Sequence, residues 1–389
     1  ASMHGAKTLL GSATPSIETY YKARQGKYGL VELLERYGDM KLPEVTVVDM
    51  GDQRKRKASR GVFSSPLLSA LEENARQEMQ SIIFQNRRGY APVVICSQCG
   101  WTPKCEHCDV SLVYHKHIGE LRCHYCGFSM TLPKVCPACG ENALGTYGYG
   151  TERVADDLHN IYPSLRIARM DLDTTRNKNG HEEIIGKFSR HDTDVLVGTQ
   201  MVSKGLDFEK VKLVGILNAD TLLNFPDFRS DERAFNMMEQ VAGRAGRHGA
   251  PGRVIIQTTA PKNEIIARVV NHDYTGYYDR EVELRREFAY PPFTRVINIY
   301  LRHKDEHALI DLTVRYTQEM KRVFGRRVLG PETPFVGRIS NYHIRTLMLK
   351  VEAGASMPKV KALLRQIYVS LATLPGMKQL LLHYDVDPV

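Results

Sequence analysis

All eight cysteines of this 389-residue chain fall between Cys96 and Cys139, as four C-x-x-C pairs: Cys96/Cys99, Cys105/Cys108, Cys123/Cys126 and Cys136/Cys139. A C-x-x-C knuckle wraps two thiolates around one metal, and two knuckles complete a tetrahedral zinc site. A secreted disulfide scaffold spreads its cysteines through a small chain; a cluster inside a long chain points instead to metal binding in a reducing, cytoplasmic compartment. Four knuckles imply two zinc ions. The inner knuckles, Cys105/Cys108 and Cys123/Cys126, are fourteen residues apart, close to the spacing of zinc ribbons, and residues 110–122 can form the hairpin that returns the chain to the metal. The outer knuckles would then close around the base of the lobe. Sequential pairing would join Cys99 to Cys105 across only five residues, so nesting is favoured. Three knuckles are followed by glycine (Gly100, Gly127, Gly140), which permits a left-handed turn; the fourth is followed by Asp109, which tolerates that conformation better than most residues. His107, His115, His117 and His124 also carry ligand atoms, but eight thiolates already fill both sites.

A second run with chemistry in it lies at residues 240–247, Q-V-A-G-R-A-G-R. On a helix starting near Ser230, Gln240, Arg244 and Arg247 stand at i, i+4 and i+7, so one face presents an amide and two guanidiniums. Such a pair, aimed at a triphosphate, stabilises the charge that develops in phosphoryl transfer. Two arginines alone fit a salt-bridged surface helix equally well; the Q-x-x-G-R-x-G-R spelling is more specific. Neither half of a phosphate-binding machine accompanies it: no G-x-x-x-x-G-K-[ST] loop and no D-E-x-[DH] box occurs in the chain.

The elements that must position these groups alternate. Residues 17–23, 65–80, 151–161 and 181–189 read as helices; residues 81–84, 165–170, 195–197 and 213–217 read as short apolar strands. Helices alternating with apolar strands imply a parallel sheet with crossover helices, into which the cysteine block is inserted. Beyond residue 256 the pattern changes. Strands at 296–301, 346–351 and 380–383 with helices at 306–324 and 358–374 make a separate, small α+β domain.

Composition bounds the rest. With 42% hydrophobic and 25% charged residues the chain is an ordinary globular one, with no apolar stretch of membrane-spanning length. Its net charge of +9 favours an anionic partner, nucleic acid first. Residues 54–57, R-K-R-K, form a basic cluster that is either solvated or DNA-facing. Arg87, Arg88, Lys104, Lys116, Arg122 and Lys134 add charge around the knuckles, with Trp101, Tyr114 and Tyr125 available to stack on bases.

Residues 240–247 resemble the sixth motif of superfamily-two helicases. Residues 11–16, G-S-A-T-P-S, resemble the third motif, and Gly198-Thr199-Gln200-Met201 with Lys204-Gly205-Leu206-Asp207 the fifth. Within that superfamily, residues 86–90 (N-R-R-G-Y) immediately before a four-knuckle insertion, together with residues 171–175, 227–230, 290–293 and 384–388, are similar to the primosomal replication-restart helicases. The resemblance implies an ATP-dependent DNA helicase, moving 3′ to 5′ at stalled forks in replication restart and primosome assembly. It implies two RecA-like lobes with ATP and Mg²⁺ between them in the intact protein. Gln240, Arg244 and Arg247 would act on the γ-phosphate, with Gly205 and Asp207 nearby. Thr199 and Gln200 would lie along the DNA, with Arg87 and Arg88 also DNA-binding; Ser12 and Thr14 would couple the lobes. Partners implied are forked or single-stranded DNA, single-stranded-DNA-binding protein and other primosome proteins. The expected arrangement is the end of the first lobe (1–40), the start of a second RecA-like lobe (41–95), the zinc insertion (96–140), the rest of that lobe (141–285) and the α+β domain (286–389). Because the run of motifs opens at the third, the chain is expected to be a fragment, inactive alone as an ATPase. The alternative is a zinc-dependent DNA-binding and docking module without catalysis.

Overall fold

The apolar runs become a six-stranded, wholly parallel sheet, ordered Glu44–Asp49, Arg253–Thr258, Val211–Leu217, Gln80–Gln85, Val195–Gly198, Ile167–Met170. This computed structural model describes all residues except 1, 34–40, 86–92, 116–118, 148–149, 172–173, 176–179, 204–207, 225–226, 247–250 and 389. Every residue of the Gln80–Gln85 and Val195–Gly198 strands is buried, as in a parallel sheet covered on both faces. Ile82, Ile83 and Phe84 are fully enclosed; burial of each such side chain is worth roughly 1.5–3 kcal/mol. The Glu44–Asp49 strand is an addition to the elements read from sequence. It joins the sheet by pairing with Arg253–Thr258.

The Ser65–Arg76 helix opens on Ser64, whose hydroxyl accepts from the Leu67 N–H, and has proline in its first turn. Its buried face, Leu67, Leu68 and Leu71, packs with Val154 and Leu158 of the Thr151–Ile161 helix over Val197, Leu213 and Leu217 of the sheet. These elements belong to one compact unit, Ala1–Tyr90 with Tyr149–Val282.

The second compact unit comprises Ala91–Gly148 and Glu283–Val389. In its first segment a five-stranded sheet runs Ser129–Thr131, Glu120–Arg122, Val113–His115, Val93–Cys96, Leu144–Tyr147. Val113–His115 and Glu120–Arg122 are the hairpin between the inner knuckles, with Val113 opposite Arg122. In its second segment an antiparallel sheet runs Val328–Glu332, Tyr342–Glu352, Thr294–His303, Leu381–Val386. The Glu306–Phe324 helix starts on Asp305, whose carboxylate accepts from the Ala308 N–H, and stops at Gly325, with φ +60°. Its stripe of Leu309, Leu312, Tyr316, Met320 and Phe324 packs with the Met357–Ser370 helix and with Ile299, Leu301 and Leu349 of the sheet.

Candidate metal centres and the arginine run

The structure gathers the cysteines into two quartets: Cys96, Cys99, Cys136 and Cys139, and Cys105, Cys108, Cys123 and Cys126. The sulfurs of each quartet lie within 4.8 Å of one another. No disulfide forms among them. The sulfur separations are 3.7 Å for Cys96–Cys139, 3.6 Å for Cys99–Cys136 and 3.5 Å for Cys105–Cys126. A tetrahedron with zinc–sulfur bonds of about 2.3 Å has sulfur–sulfur edges of about 3.8 Å, so both quartets fit a zinc ion. Among the described residues no histidine joins either quartet. His115 and His124 instead stack on each other, ring centroids 5.2 Å apart, and His117 lies outside the described residues.

Backbone N–H groups face the sulfurs. Those of Cys99 and Gln98 donate to Cys96 and hold its thiol down, to about 7, against the opposing effect of burial. Burial pushes the Cys105 thiol up, to about 12; a metal there must first displace that proton. Gly100, Gly127 and Gly140 take positive φ and donate to the carbonyls of Cys96, Cys123 and Cys136 at 2.8–3.0 Å. Asp109 departs from expectation: it has no positive φ. Its N–H turns outward to the Arg338 carbonyl at 2.9 Å, so the inner knuckle Cys105/Cys108 is closed by a distant segment rather than by its own turn.

The run at 240–247 also departs from the continuous helix read from its spacing. The helix is Ser230–Ala242, and Gly243 caps it. Arg244 and Ala245 continue as a tight turn, bonding to the carbonyls of Val241 and Ala242. Gly246 then enters the left-handed region at φ +69°, packed so closely on Gly252 that a Cβ would collide with its backbone. Gln240 is therefore helical while Arg244 sits on the turn beyond the cap, not one helical turn above it. Gly243 thus ends the helix, and Gly246 brings the run against another stretch of backbone, that of Gly252. The Gly246 N–H bonds to the Val211 carbonyl at 2.9 Å, anchoring the run to the start of the interior Val211–Leu217 strand. Arg247, Gly205, Asp207, Arg87 and Arg88 lie outside the described residues.

Thr199 and Gln200 follow the C-terminal end of the Val195–Gly198 strand, where ligands of open parallel sheets sit. Gly198 is needed there: a Cβ would strike Val202 and the Met170 carbonyl. The Gln200–Ser203 turn packs against the Ser230–Ala242 helix. Residues 17 and 18 meet the start of the same helix: the Ile17 N–H donates to the buried Glu232 carboxylate at 3.0 Å, and Arg229, its N-cap, pairs with Glu18 at 2.5 Å. The Tyr274 hydroxyl donates to the Pro15 carbonyl at 2.8 Å. Ser12 accepts from the Thr14 N–H. Glu232 escaped sequence reasoning, since nothing in the run of residues announces that its carboxylate meets Ile17. Ser340 and Asn341 escaped it too; a two-residue turn between paired strands is the signal that could have found them.

Three family models match in this order: the PriA DNA helicase Cys-rich region domain over residues 105–130, the helicase conserved C-terminal domain over 150–249, and the primosomal protein N C-terminal domain over 286–389. The chain is 38% identical to replication restart protein PriA of Bacillus subtilis, across 100% of this chain and 48% of that protein. It is 37% identical to that of Synechocystis, across 100% and 47%. Among solved structures, a leucine-to-valine variant of S. cerevisiae Dbp5 bound to RNA and ADP BeF3 aligns at 13% identity and TM-score 0.34, covering 72% of this chain and 53% of that one, a likeness too distant to carry an argument. The chain spans about half the length of the curated relatives it matches. On full-chain identity to these relatives and on its three matched domains, the chain is similar over its whole length to replication restart protein PriA.

Proposed function

We propose that this chain is the second motor lobe, Cys-rich lobe and C-terminal domain of an ATP-dependent DNA helicase that works 3′ to 5′ at stalled forks. One observation carries the reading: Ile17, directly after the third-motif run, bonds Glu232 of the Ser230–Ala242 helix, the Gln200–Ser203 turn of the fifth-motif run packs on that helix, and the sixth-motif run begins at Gln240 within it. A helix touched by all three can pass the state of a nucleotide to a DNA strand. In this reading Gln240, Arg244 and Arg247 face the γ-phosphate of ATP with Mg²⁺, near Gly205 and Asp207. Thr199, Gln200, Arg87 and Arg88 track the DNA backbone. Residues 1–40 end the first lobe, residues 41–95 and 141–285 form the second, and residues 286–389 are the third part.

The eight cysteines hold two zinc ions, whose role is to cross-link a lobe too small to bury a sufficient core. Around them the exposed Tyr125 offers a stacking surface for unpaired bases. Single-stranded-DNA-binding protein and other primosome proteins are the proposed partners, in the cytoplasm. Among the described residues no helix is long and apolar enough to cross a membrane.

For the 389 residues taken alone, the absence of a phosphate-binding loop sequence favours a second description, a zinc-dependent DNA-binding and docking piece without catalysis. Unwinding of forked substrates of either polarity by the whole protein tests the main reading: ATP-dependent strand separation with 3′-to-5′ polarity is expected, and binding without unwinding would leave only the second.

A further inference from the structure

The second cysteine of each knuckle receives a backbone N–H, and in three knuckles the donor lies two residues on: Trp101 for Cys99, Phe128 for Cys126 and Glu141 for Cys139. At the fourth knuckle the equivalent group, the Val110 N–H, turns back to the Cys108 carbonyl at 2.9 Å. The vacant role at Cys108 is filled by the N–H of Ser340, 3.2 Å from its sulfur and 232 residues away. Ser340 and Asn341 form a two-residue turn with φ +50° and +64° between the paired residues Ile339 and Tyr342, so their N–H groups stand outside the strand ladder and are available to a partner. Both are used on this knuckle: Asn341 donates to the His107 carbonyl at 2.8 Å. Arg338 adds a bond to the Glu106 carbonyl and an ion pair with Asp109, both at 3.1 Å, and Ile339 packs against the cluster of Leu112, Leu121, Cys105 and Cys123.

We infer that the hairpin tip at residues 338–341 of the C-terminal domain is a working part of the inner metal site, positioning Cys108 for the metal, so that metal occupancy and docking of this hairpin are linked. The inference rests on the reading of the quartets as zinc sites. An N–H bond to a thiolate sulfur lowers the cost of its charge, and outer partners of metal ligands typically set about 10–100-fold of affinity. Linkage is reciprocal: whatever the hairpin adds to metal binding, the metal returns to hairpin docking. The outer quartet, whose second cysteines use local donors, lacks this connection.

The test begins with metal analysis of the 389-residue chain, where fewer than two zinc ions would defeat the zinc reading itself. In the loaded chain, Arg338→Ala removes the Asp109 pair and the Glu106 bond. Challenged with a chromogenic zinc chelator, one zinc equivalent should leave about tenfold faster than in the parent chain and the other at the parent rate. Release of both at parental rates, or acceleration of both together, would overturn the inference. Hydrogen exchange supplies the converse. Cys126→Ser should expose the Ser340 and Asn341 amides to exchange while Cys139→Ser leaves them protected, with the Thr294–His303 strand amides protected in both as a sign that the domain is folded. Hairpin amides indifferent to loss of the inner site would contradict the linkage, and if Cys126→Ser unfolds the strand, the Arg338→Ala release profile decides alone.

Discussion

The backbone N–H of Ile17 donates to the carboxylate of Glu232 across 215 residues, at 3.0 Å and out of contact with water. This bond ties the residue that follows the third-motif run to the first turn of the helix that leads into the sixth. A hydrogen bond to a charged group is worth about 1.5–3 kcal/mol, so Glu232→Ala should free the Ile17–Arg24 helix to open roughly tenfold or more often. Trypsin cleavage after Lys22 or Arg24 reads that opening. A rate equal to that of the parent chain would show that the bond does not hold the segment.

The two quartets predict separable losses. Cys105→Ser should cost one zinc ion per chain and leave Cys96, Cys99, Cys136 and Cys139 loaded. Each ligand must shed its proton to bind, so acidification should release metal, affinity falling as pH falls. Metal analysis of one ion in the parent chain, or spectroscopy showing nitrogen ligands, would contradict the assignment of eight sulfurs.

What could be read from the residues depended on how local the cause was. The Thr151–Ile161 and Glu306–Phe324 helices were legible to their ends because an apolar stripe, and at the latter a capping Asp305 and a terminating Gly325, all lie within the element. The nested quartets were legible because spacing alone makes sequential pairing cramped. Arg244 was misplaced because the i, i+4 rule assumes that the helix continues, whereas Gly243 ends it. Asp109 was misjudged for a different reason: its knuckle is completed by Arg338, Ser340 and Asn341, and nothing within ten residues of Cys108 announces that they arrive.

Catalysis in the whole protein should depend on the arginines. Arg247→Ala should lower ATP hydrolysis by about three orders of magnitude while leaving DNA binding in place, by the logic of an arginine that meets transition-state charge. Steady-state hydrolysis with and without single-stranded DNA measures this. A loss smaller than about tenfold would move the role to Arg244, the next to be substituted.

The account as a whole meets its most direct test in one titration of the 389-residue chain, following DNA binding and ATP hydrolysis together at several salt concentrations. The chain has a net charge of +9 and no phosphate-binding loop sequence. It should bind single-stranded or forked DNA with little sequence preference, because phosphates and base faces are common to all sequences. That binding should weaken steeply with salt, each neutralised phosphate releasing about one counterion. Hydrolysis of ATP should stay at background throughout. Robust DNA-stimulated hydrolysis by this chain would contradict the reading that these 389 residues lack the phosphate-binding machinery. Failure to bind DNA even at low salt would contradict the placement of DNA contacts on Thr199, Gln200 and the Cys-rich lobe.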